Sequence, residues 1–242
     1  MANKLERYDE FASILDDYQP SEESLAVLRQ TSLSLLTAPS AVGRNTIINQ
    51  LVKTGDYHDA LTDTTREPRV NDGVSERSGV EYYFKTELEF LEGLENGEYL
   101  EAAIIHEQQV SGLHVNELRR TNHREELALA DIDIAGIEHY HALNPNGNYI
   151  FVLPPSFEEW LQRMTNRGQL DQDEIHRRLS SAEVELQHGL DHDYYQFVVN
   201  DELTQAATEV DALARGHSSS KQAEARDRLW QLLNELKRKL YS

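Results

Sequence analysis

The stretch Leu35-Leu36-Thr37-Ala38-Pro39-Ser40-Ala41-Val42-Gly43-Arg44-Asn45-Thr46-Ile47 reads as an apolar strand that breaks into a turn of small residues and enters a helix. A phosphate-cradling loop needs that layout. Small side chains let backbone amides approach an anion, and the helix N-terminus presents unpaired N–H groups to it. Arg44 and Asn45 stand where such a loop normally carries Lys and then Ser or Thr. The geometry points to a nucleotide, while the absent lysine puts phosphoryl transfer in question. By spacing alone, the same residues equally suit a plain buried strand, turn and helix.

The 242 residues suffice for one substantial core with a smaller inserted lobe. Cys is absent, which excludes disulfides and thiolate metal sites. Lys and Arg number 23 against 43 Asp and Glu, a formal charge of -20. Such a charge repels a nucleic-acid backbone unless a basic patch is focused locally, so no nucleic-acid partner is expected. A few arginines still suffice for a small phosphorylated ligand. The opening Met1-Ala2-Asn3-Lys4-Leu5-Glu6 has no apolar targeting run, and no later segment is apolar enough to cross a bilayer. A cytoplasmic location without a membrane partner is the expectation.

The spacing of Phe11, Ile14 and Leu15, then of Leu25, Leu28 and Leu33, predicts short helices broken near Pro20, packed beside the core and carrying no chemistry. After the loop, Ile47, Ile48 and Leu51 suit a buried helix face. Strands are expected near 58–61, 82–84, 99–105, 127–134, 149–153 and 197–199, with a helix around Phe90, Leu91 and Leu94. Ser156 and Glu159, after Pro154-Pro155, form a capping-box pattern. Strands separated by helices argue for an α/β fold with a mainly parallel central sheet and a ligand at the carboxyl ends of its strands. Past the Gly216-His217-Ser218-Ser219-Ser220 linker, Leu229, Leu232, Leu233, Leu236 and Leu240, with Trp230 nearby, form an apolar helical stripe. That stripe either docks on its own core or mediates a homodimer.

Two further clusters carry chemistry. In Thr62-Asp63-Thr64-Thr65-Arg66-Glu67-Pro68-Arg69, two guanidiniums three residues apart can clamp a phosphate or carboxylate bidentately, although the segment also reads as a solvated turn. In Asp131-Ile132-Asp133, two carboxylates at a strand end share one face if the pleat persists, serving a metal or a base; they also suit a pair capping the Gly136 turn.

From about Leu33 to Ala214 the chain resembles the guanylate kinase family. The resemblance rests on the alanine-proline-serine opening of the loop, Thr64-Thr65-Arg66-Glu67-Pro68-Arg69, Tyr82-Tyr83-Phe84, Gly97-Glu98-Tyr99-Leu100-Glu101, Asp131-Ile132-Asp133 with Gly136, Leu153-Pro154-Pro155-Ser156, Arg167-Gly168, Arg178-Leu179 and Val198-Val199-Asn200-Asp201, all in family order. It implies a P-loop nucleoside-monophosphate-kinase-like three-layer fold with a parallel central sheet and an inserted acceptor-binding lobe. It also implies transfer of the terminal phosphoryl of ATP to GMP or dGMP with Mg2+. The implied organisation is an amino-terminal helical extension over 1–30, a guanylate-kinase-like domain over 31–214 with a GMP-binding lobe at 61–123 and a lid at 163–177, and a linker with carboxyl-terminal helix over 215–242.

Residue by residue, the resemblance assigns Arg66, Arg69 and Tyr82 to the acceptor phosphate, and Thr62, Glu101 and Asp133 to the guanine edge. Asp131 is implied near the metal and the transferring phosphate, and Arg163, Arg167 and Arg178 as cations stabilising phosphoryl charge. Arg44 is implied as the catalytic cation of the loop. The ATP-binding set is Ala38, Ser40, Ala41, Val42, Gly43, Arg44, Asn45 and Thr46, with Asn200 toward the adenine. Arg163, Arg167 and Arg178 also read as surface helix cations, and Asn200 as a strand-ending turn residue.

The departures gather at the two phosphate sites. Ala38 and Ala41 replace usual glycines, Arg44 replaces lysine, and Asn45 lacks the hydroxyl that joins the magnesium shell, so no protein metal ligand is assigned. Val110-Ser111-Gly112 stands in place of a tyrosine-glycine-hydroxyl group, and the connection from Val70 to Gly79 is longer than usual. That pattern is similar to the non-catalytic guanylate-kinase-like domains of scaffolds, which bind phosphorylated partners.

Overall fold

The computed structural model of the chain describes residues 5–71, 73–105, 107–166 and 172–241. Its elements are α1 (Tyr8–Asp16), α2 (Glu22–Gln30), β1 (Leu33–Thr37), α3 (Arg44–Val52), β2 (Tyr57–Asp59), β3 (Asp63–Thr64), β4 (Val70–Asn71), β5 (Val74–Ser75), β6 (Tyr83–Phe84) and α4 (Glu87–Glu95). There follow β7 (Tyr99–Ile105), β8 (Gln109–His114), α5 (Val115–Arg124), β9 (Leu127–Asp131), α6 (Ile134–Leu143), β10 (Asn148–Leu153), α7 (Phe157–Asn166), α8 (Gln172–Asp191), β11 (Tyr195–Val199), α9 (Leu203–Ala214) and α10 (Gln222–Tyr241). Two compact units result, one from 1–33, 58–128 and 139–145, the other from 34–57, 129–138 and 146–242.

The central sheet has the strand order β11-β10-β1-β9-β2. β10 runs parallel to both β1 and β11, with Leu36 opposite Ile150 and Phe151 opposite Phe197. Tyr149 to Leu153 are all buried, as expected of a strand covered on both faces, and this is why the run is apolar without alternation. In the second unit, α10 packs on α8, α7, β10 and β11. Its Leu229, Leu232, Leu233 and Leu236 are buried there, leaving Trp230 exposed. Four of the five leucines considered for a homodimer are thus covered by their own chain, and Leu240 is half-buried.

The first unit holds a four-stranded sheet in the order β6-β3-β8-β7 and a small β4-β5 hairpin. Phe11, Phe90, Leu91, Leu94, Tyr99 and Val110 form its core, with the Phe90 and Tyr99 rings stacked 4.1 Å apart. α1 and α2 belong to this packing. Tyr18 donates its hydroxyl to the Tyr99 carbonyl at 2.7 Å, and the Ser21 amide donates to the Gly97 carbonyl at 2.9 Å. α4 starts at a capping box in which Thr86 and Glu89 satisfy each other's backbone amides, a signal present in the sequence as Thr-x-x-Glu.

Two strand expectations need correction. The segment expected at 58–61 is β2 at Tyr57–Asp59, and β9 stops at Asp131 instead of running to Ile134. The cause of the second is local: Asp133 accepts the Gly136 amide on Oδ1 at 2.8 Å, and its carbonyl accepts the Ile137 amide at 2.9 Å, which starts α6. A Cβ at Gly136 would stand 2.4 Å from Ile132 Cγ2, so the turn is too tight for a side chain there. The pleat argument for Asp131 and Asp133 sharing a strand face therefore fails, and the capping alternative holds for Asp133. Among the described residues, no helix is long and apolar enough to cross a membrane.

Candidate functional site

The phosphate-loop stretch lies in the second unit, between β1 and α3. Ala41 has φ 68° and Gly43 φ 103°, so the chain turns twice through the left-handed region. At Ala41 the loop thus keeps a glycine-like backbone without glycine, at a strain of about 1–2 kcal/mol. Three groups hold the loop carbonyls. Trp160 Nε1 donates to Ser40 O at 2.8 Å, Asn200 Nδ2 donates to Val42 O at 2.8 Å, and Arg163 Nη1 reaches Val42 O at 3.4 Å and Asn200 O at 3.0 Å. Arg163 also pairs with Glu159 at 2.5 Å, so the carboxylate expected to complete a capping box serves the arginine; Ser156 does accept the Glu159 amide, at 3.1 Å. The Thr46 and Ile47 amides donate to the Gly43 carbonyl, and the Arg44 and Asn45 amides ahead of them face the loop side, which makes this end of the helix a donor surface.

Gly43 packs against the amide of Asn200 so closely that a Cβ would stand 2.6 Å from Nδ2. Gly43→Ala is expected to cost about 1–3 kcal/mol from the left-handed backbone alone, and to displace Asn200 from Val42. Urea denaturation checks the first effect and ATP calorimetry the second; unchanged values in both would contradict this account of the loop.

Ala38 to Asn45 line a cavity of about 510 Å³ together with Asp131 and Glu185. Arg44 Nη1 lies 2.6 Å from Asp131 Oδ1 and 3.3 Å from the Ile132 carbonyl, so the residue replacing lysine is tied to the end of β9. Burial pushes the Asp131 carboxyl up, Arg44 pulls it back, and Asp133 adds to the rise. Glu185 is pushed up to about 7 by burial, against the pull of Arg44 and with further repulsion from Asp133 and Asp131. Its Oε2 is buried with no hydrogen-bond partner. The cavity therefore concentrates oxygen donors around a single guanidinium, which is a setting for a hard divalent cation beside phosphate.

Glu185 was missed by sequence reasoning. The signal was available: Leu179, Ala182, Leu186 and Gly189 are the buried face of α8, and a carboxylate three residues after Ala182 falls on that face. Asn45 and Thr46 are exposed. Arg178 is paired with Glu174 at 2.7 Å on its own helix. Arg167, like Gly168, lies outside the described residues.

In the first unit, Arg66 grips Glu76 with two bonds, Nη1 to Oε2 at 2.6 Å and Nη2 to Oε1 at 3.1 Å. Its guanidinium sits 4.9 Å from the centre of the Tyr82 ring and 5.6 Å from that of Phe84. Glu76 also accepts the Arg69 amide at 2.8 Å. Hydrogen bonding to Arg66 holds the Glu76 carboxyl below its usual range. The long connection noted in the sequence thus delivers a carboxylate to Arg66 and to the Arg69 backbone, two residues expected to take the acceptor phosphate. Thr64 is fully buried and accepts from the Ser111 hydroxyl at 2.9 Å. Thr62 accepts the Tyr83 amide on its carbonyl at 3.0 Å, and Glu101 lies half-buried on β7.

A second network in this unit also escaped sequence reasoning. Glu117, 1% exposed, binds His58 Nε2 at 2.9 Å, the Leu61 amide at 3.2 Å and Arg120, which reaches the Tyr83 hydroxyl at 2.5 Å. Burial alone would raise the Glu117 carboxyl, but His58 and Arg120 outweigh it and lower it. Arg120 is an i,i+3 neighbour on α5, but His58 and Leu61 lie more than fifty residues away in the chain, and no short pattern announces them.

The family model described as guanylate kinase matches residues 30–216. The chain is 33% identical over 186 residues to the guanylate kinase of Corynebacterium efficiens, an alignment covering 76% of this chain and 95% of that protein. It is 32% identical over 206 residues to the guanylate kinase of Pseudomonas fluorescens, covering 85% and 96% respectively. Its fold is similar to the crystal structure of guanylate kinase from Anaplasma phagocytophilum, with a TM-score of 0.55 at 24% identity, over 78% of this chain and 88% of that one.

Proposed function

The chain belongs to the guanylate kinase family, and from that premise we propose that it transfers the terminal phosphoryl group of ATP to GMP or dGMP. The observation that carries this reading is the cavity at the end of β1, where the loop, Arg44, Asp131 and Glu185 converge. Donor phosphates have there both the amides of a helix N-terminus and a cation. A guanidinium has five donors, so Arg44 can stay on Asp131 and still reach a phosphate oxygen.

The donor set fits magnesium, because Asp131 and the unpartnered Oε2 of Glu185 are oxygen ligands in one cavity and would hold it with water completing the shell. Bound there, the ion supplies charge neutralisation on the β- and γ-phosphates. Arg66, Arg69 and Tyr82 bind the acceptor phosphate, and none of them belongs to the set that binds ATP. An acceptor phosphate oxygen attacks the γ-phosphorus, the bond to the β–γ bridging oxygen breaks, and ADP leaves. Arg163 holds the loop in shape, while Arg167 and Arg178 supply positive charge to the transferring group. Thr62, Glu101 and Asp133 read the ring N–H and exocyclic amine of guanine, a donor pair adenine lacks.

The competing reading is a binding-only domain for guanine nucleotide or a phosphorylated partner. The Arg44–Asp131 pair and the exposed Asn45 favour it, since both mark a loop altered at its phosphate-handling residues. Purified protein with ATP, magnesium and GMP or dGMP is expected to form ADP together with the guanine diphosphate, detected directly. Absence of the diphosphate with both acceptors, at saturation, overturns the kinase reading in favour of binding only. In calorimetry, Glu101→Ala or Asp133→Ala should weaken GMP much more than AMP, by about 1–3 kcal/mol for a lost hydrogen bond to a carboxylate. Unchanged GMP affinity in both variants overturns the base assignment.

A further inference from the structure

Three side chains outside that chemistry converge on the second unit: Glu138 from α6, His188 from α8 and His192 one residue past the end of α8. Each offers a donor atom, and the three atoms lie within 4.8 Å of one another. The two histidines are four residues apart, which puts them on one helical face. Their ring centroids are 4.1 Å apart.

The ring nitrogens are already sorted. His192 Nδ1 lies 2.9 Å from the His188 carbonyl, which can only accept, so Nδ1 donates to it and Nε2 is the nitrogen left for a ligand. His188 Nδ1 lies 3.0 Å from the Tyr195 hydroxyl, and its Nε2 lies 3.0 Å from Glu138 Oε1. Metal-bound imidazoles are oriented this way, with the far nitrogen tied to a carbonyl or hydroxyl that sets the tautomer and aims the near one. Rigid support completes the arrangement, because Tyr195 is buried on β11 and packs edge-on against Phe151.

The geometry points to a transition-metal site, of the zinc class, with the Glu138 carboxylate and the Nε2 atoms of His188 and His192 as ligands and water in the fourth position. Two imidazoles and one carboxylate suit tetrahedral zinc, whereas magnesium and calcium demand oxygen donors. Any proton on His188 Nε2, now facing Glu138, leaves to solvent as the metal bond forms, and no electron moves. Glu138 is exposed, so the ion enters from solvent. The bound ion clips α6 to α8. α6 begins at the Asp133 cap, and α8 carries Glu185 three residues before His188, so the clip braces the helices flanking the acidic cavity. It is distinct from the magnesium position, which has only oxygen donors.

The test uses the tag-free full chain, stripped with a chelator and titrated with zinc chloride by calorimetry, with and without excess magnesium. One zinc per chain is expected, indifferent to magnesium, with affinity reduced about 100-fold in His192→Ala and about 10-fold in Glu138→Gln. His192→Ala leaves His188 on Tyr195, and a near-wild-type melt without metal verifies its fold. Zinc should raise the melting midpoint of the wild type and not that of His192→Ala. Cobalt in place of zinc should give the visible absorption of a tetrahedral centre in wild type alone. Equal zinc affinity in wild type and His192→Ala, or no one-to-one binding by the folded wild type, overturns the site.

Discussion

Arg66→Ala is expected to lower kcat/KM for GMP phosphorylation by about 10²–10³-fold, the usual cost of removing a charged donor from a reacting oxyanion. The size follows from the environment of the side chain. The Arg66 side chain is 11% exposed, backed by Tyr82 and Phe84, and aligned by a two-bond grip on Glu76, so its guanidinium is partly desolvated and preorganised. Because the acceptor phosphate is bound before and during transfer, much of the loss should fall on KM for GMP, with ATP affinity unchanged. Arg66→Lys keeps the charge without the planar fork and should lie between. Removing Arg66 also strips Glu76 of its partner, so the double variant Arg66→Ala/Glu76→Gln is the control. It should melt closer to wild type while remaining as inactive as the single variant. Retained kcat/KM in Arg66→Ala would remove this residue from the acceptor clamp.

Glu185→Gln should change how stability depends on pH. Burial raises the folded carboxyl from 4.5 to about 7. A raised folded value means that its contribution is fully present below about 4.5, where the group is protonated in both states. That contribution is lost as pH rises through about 7. The loss approaches about 3 kcal/mol at pH 8, because each pH unit separating the folded from the unfolded value is worth about 1.36 kcal/mol. Relative to wild type, Glu185→Gln should therefore gain up to that amount between pH 5 and pH 8 in urea denaturation without magnesium. Magnesium with ATP should close the gap by stabilising wild type more than the variant. Parallel pH profiles for the two proteins would show that Glu185 is not desolvated in the cavity.

Both effects arise from residues whose importance is unevenly written in the chain. Arg66 is legible, because Thr64-Thr65-Arg66-Glu67-Pro68-Arg69 after a strand presents two guanidiniums together. Its partner is less so. Glu76 lies in a connection noted only for its length, and the β4-β5 hairpin is what returns it to Arg66. The pair Asp131 and Asp133 was legible as a pair with two orientations open, and the structure selects the helix cap for Asp133 over continuation of the strand, because the Gly136 amide needs an acceptor. Arg163 and Asn200 stood in the sequence as candidates for phosphoryl charge and for adenine. The structure brings both to the carbonyl side of the loop, at Val42.

The chain by itself determined the strand-loop-helix around Gly43, the buried runs of the central sheet, the helices on either side and the acidic, cysteine-free character of the whole. These depend on periodicity, turn chemistry and side-chain size, which act between residues close in sequence. It takes the folded chain to bring Glu185 into a cavity with Asp131, to hold Arg44 on that aspartate, and to set Glu138 beside His188 and His192. Desolvation and charge pairing depend on which distant segments are brought within a few ångströms, and the local pattern of a sequence carries no record of that distance.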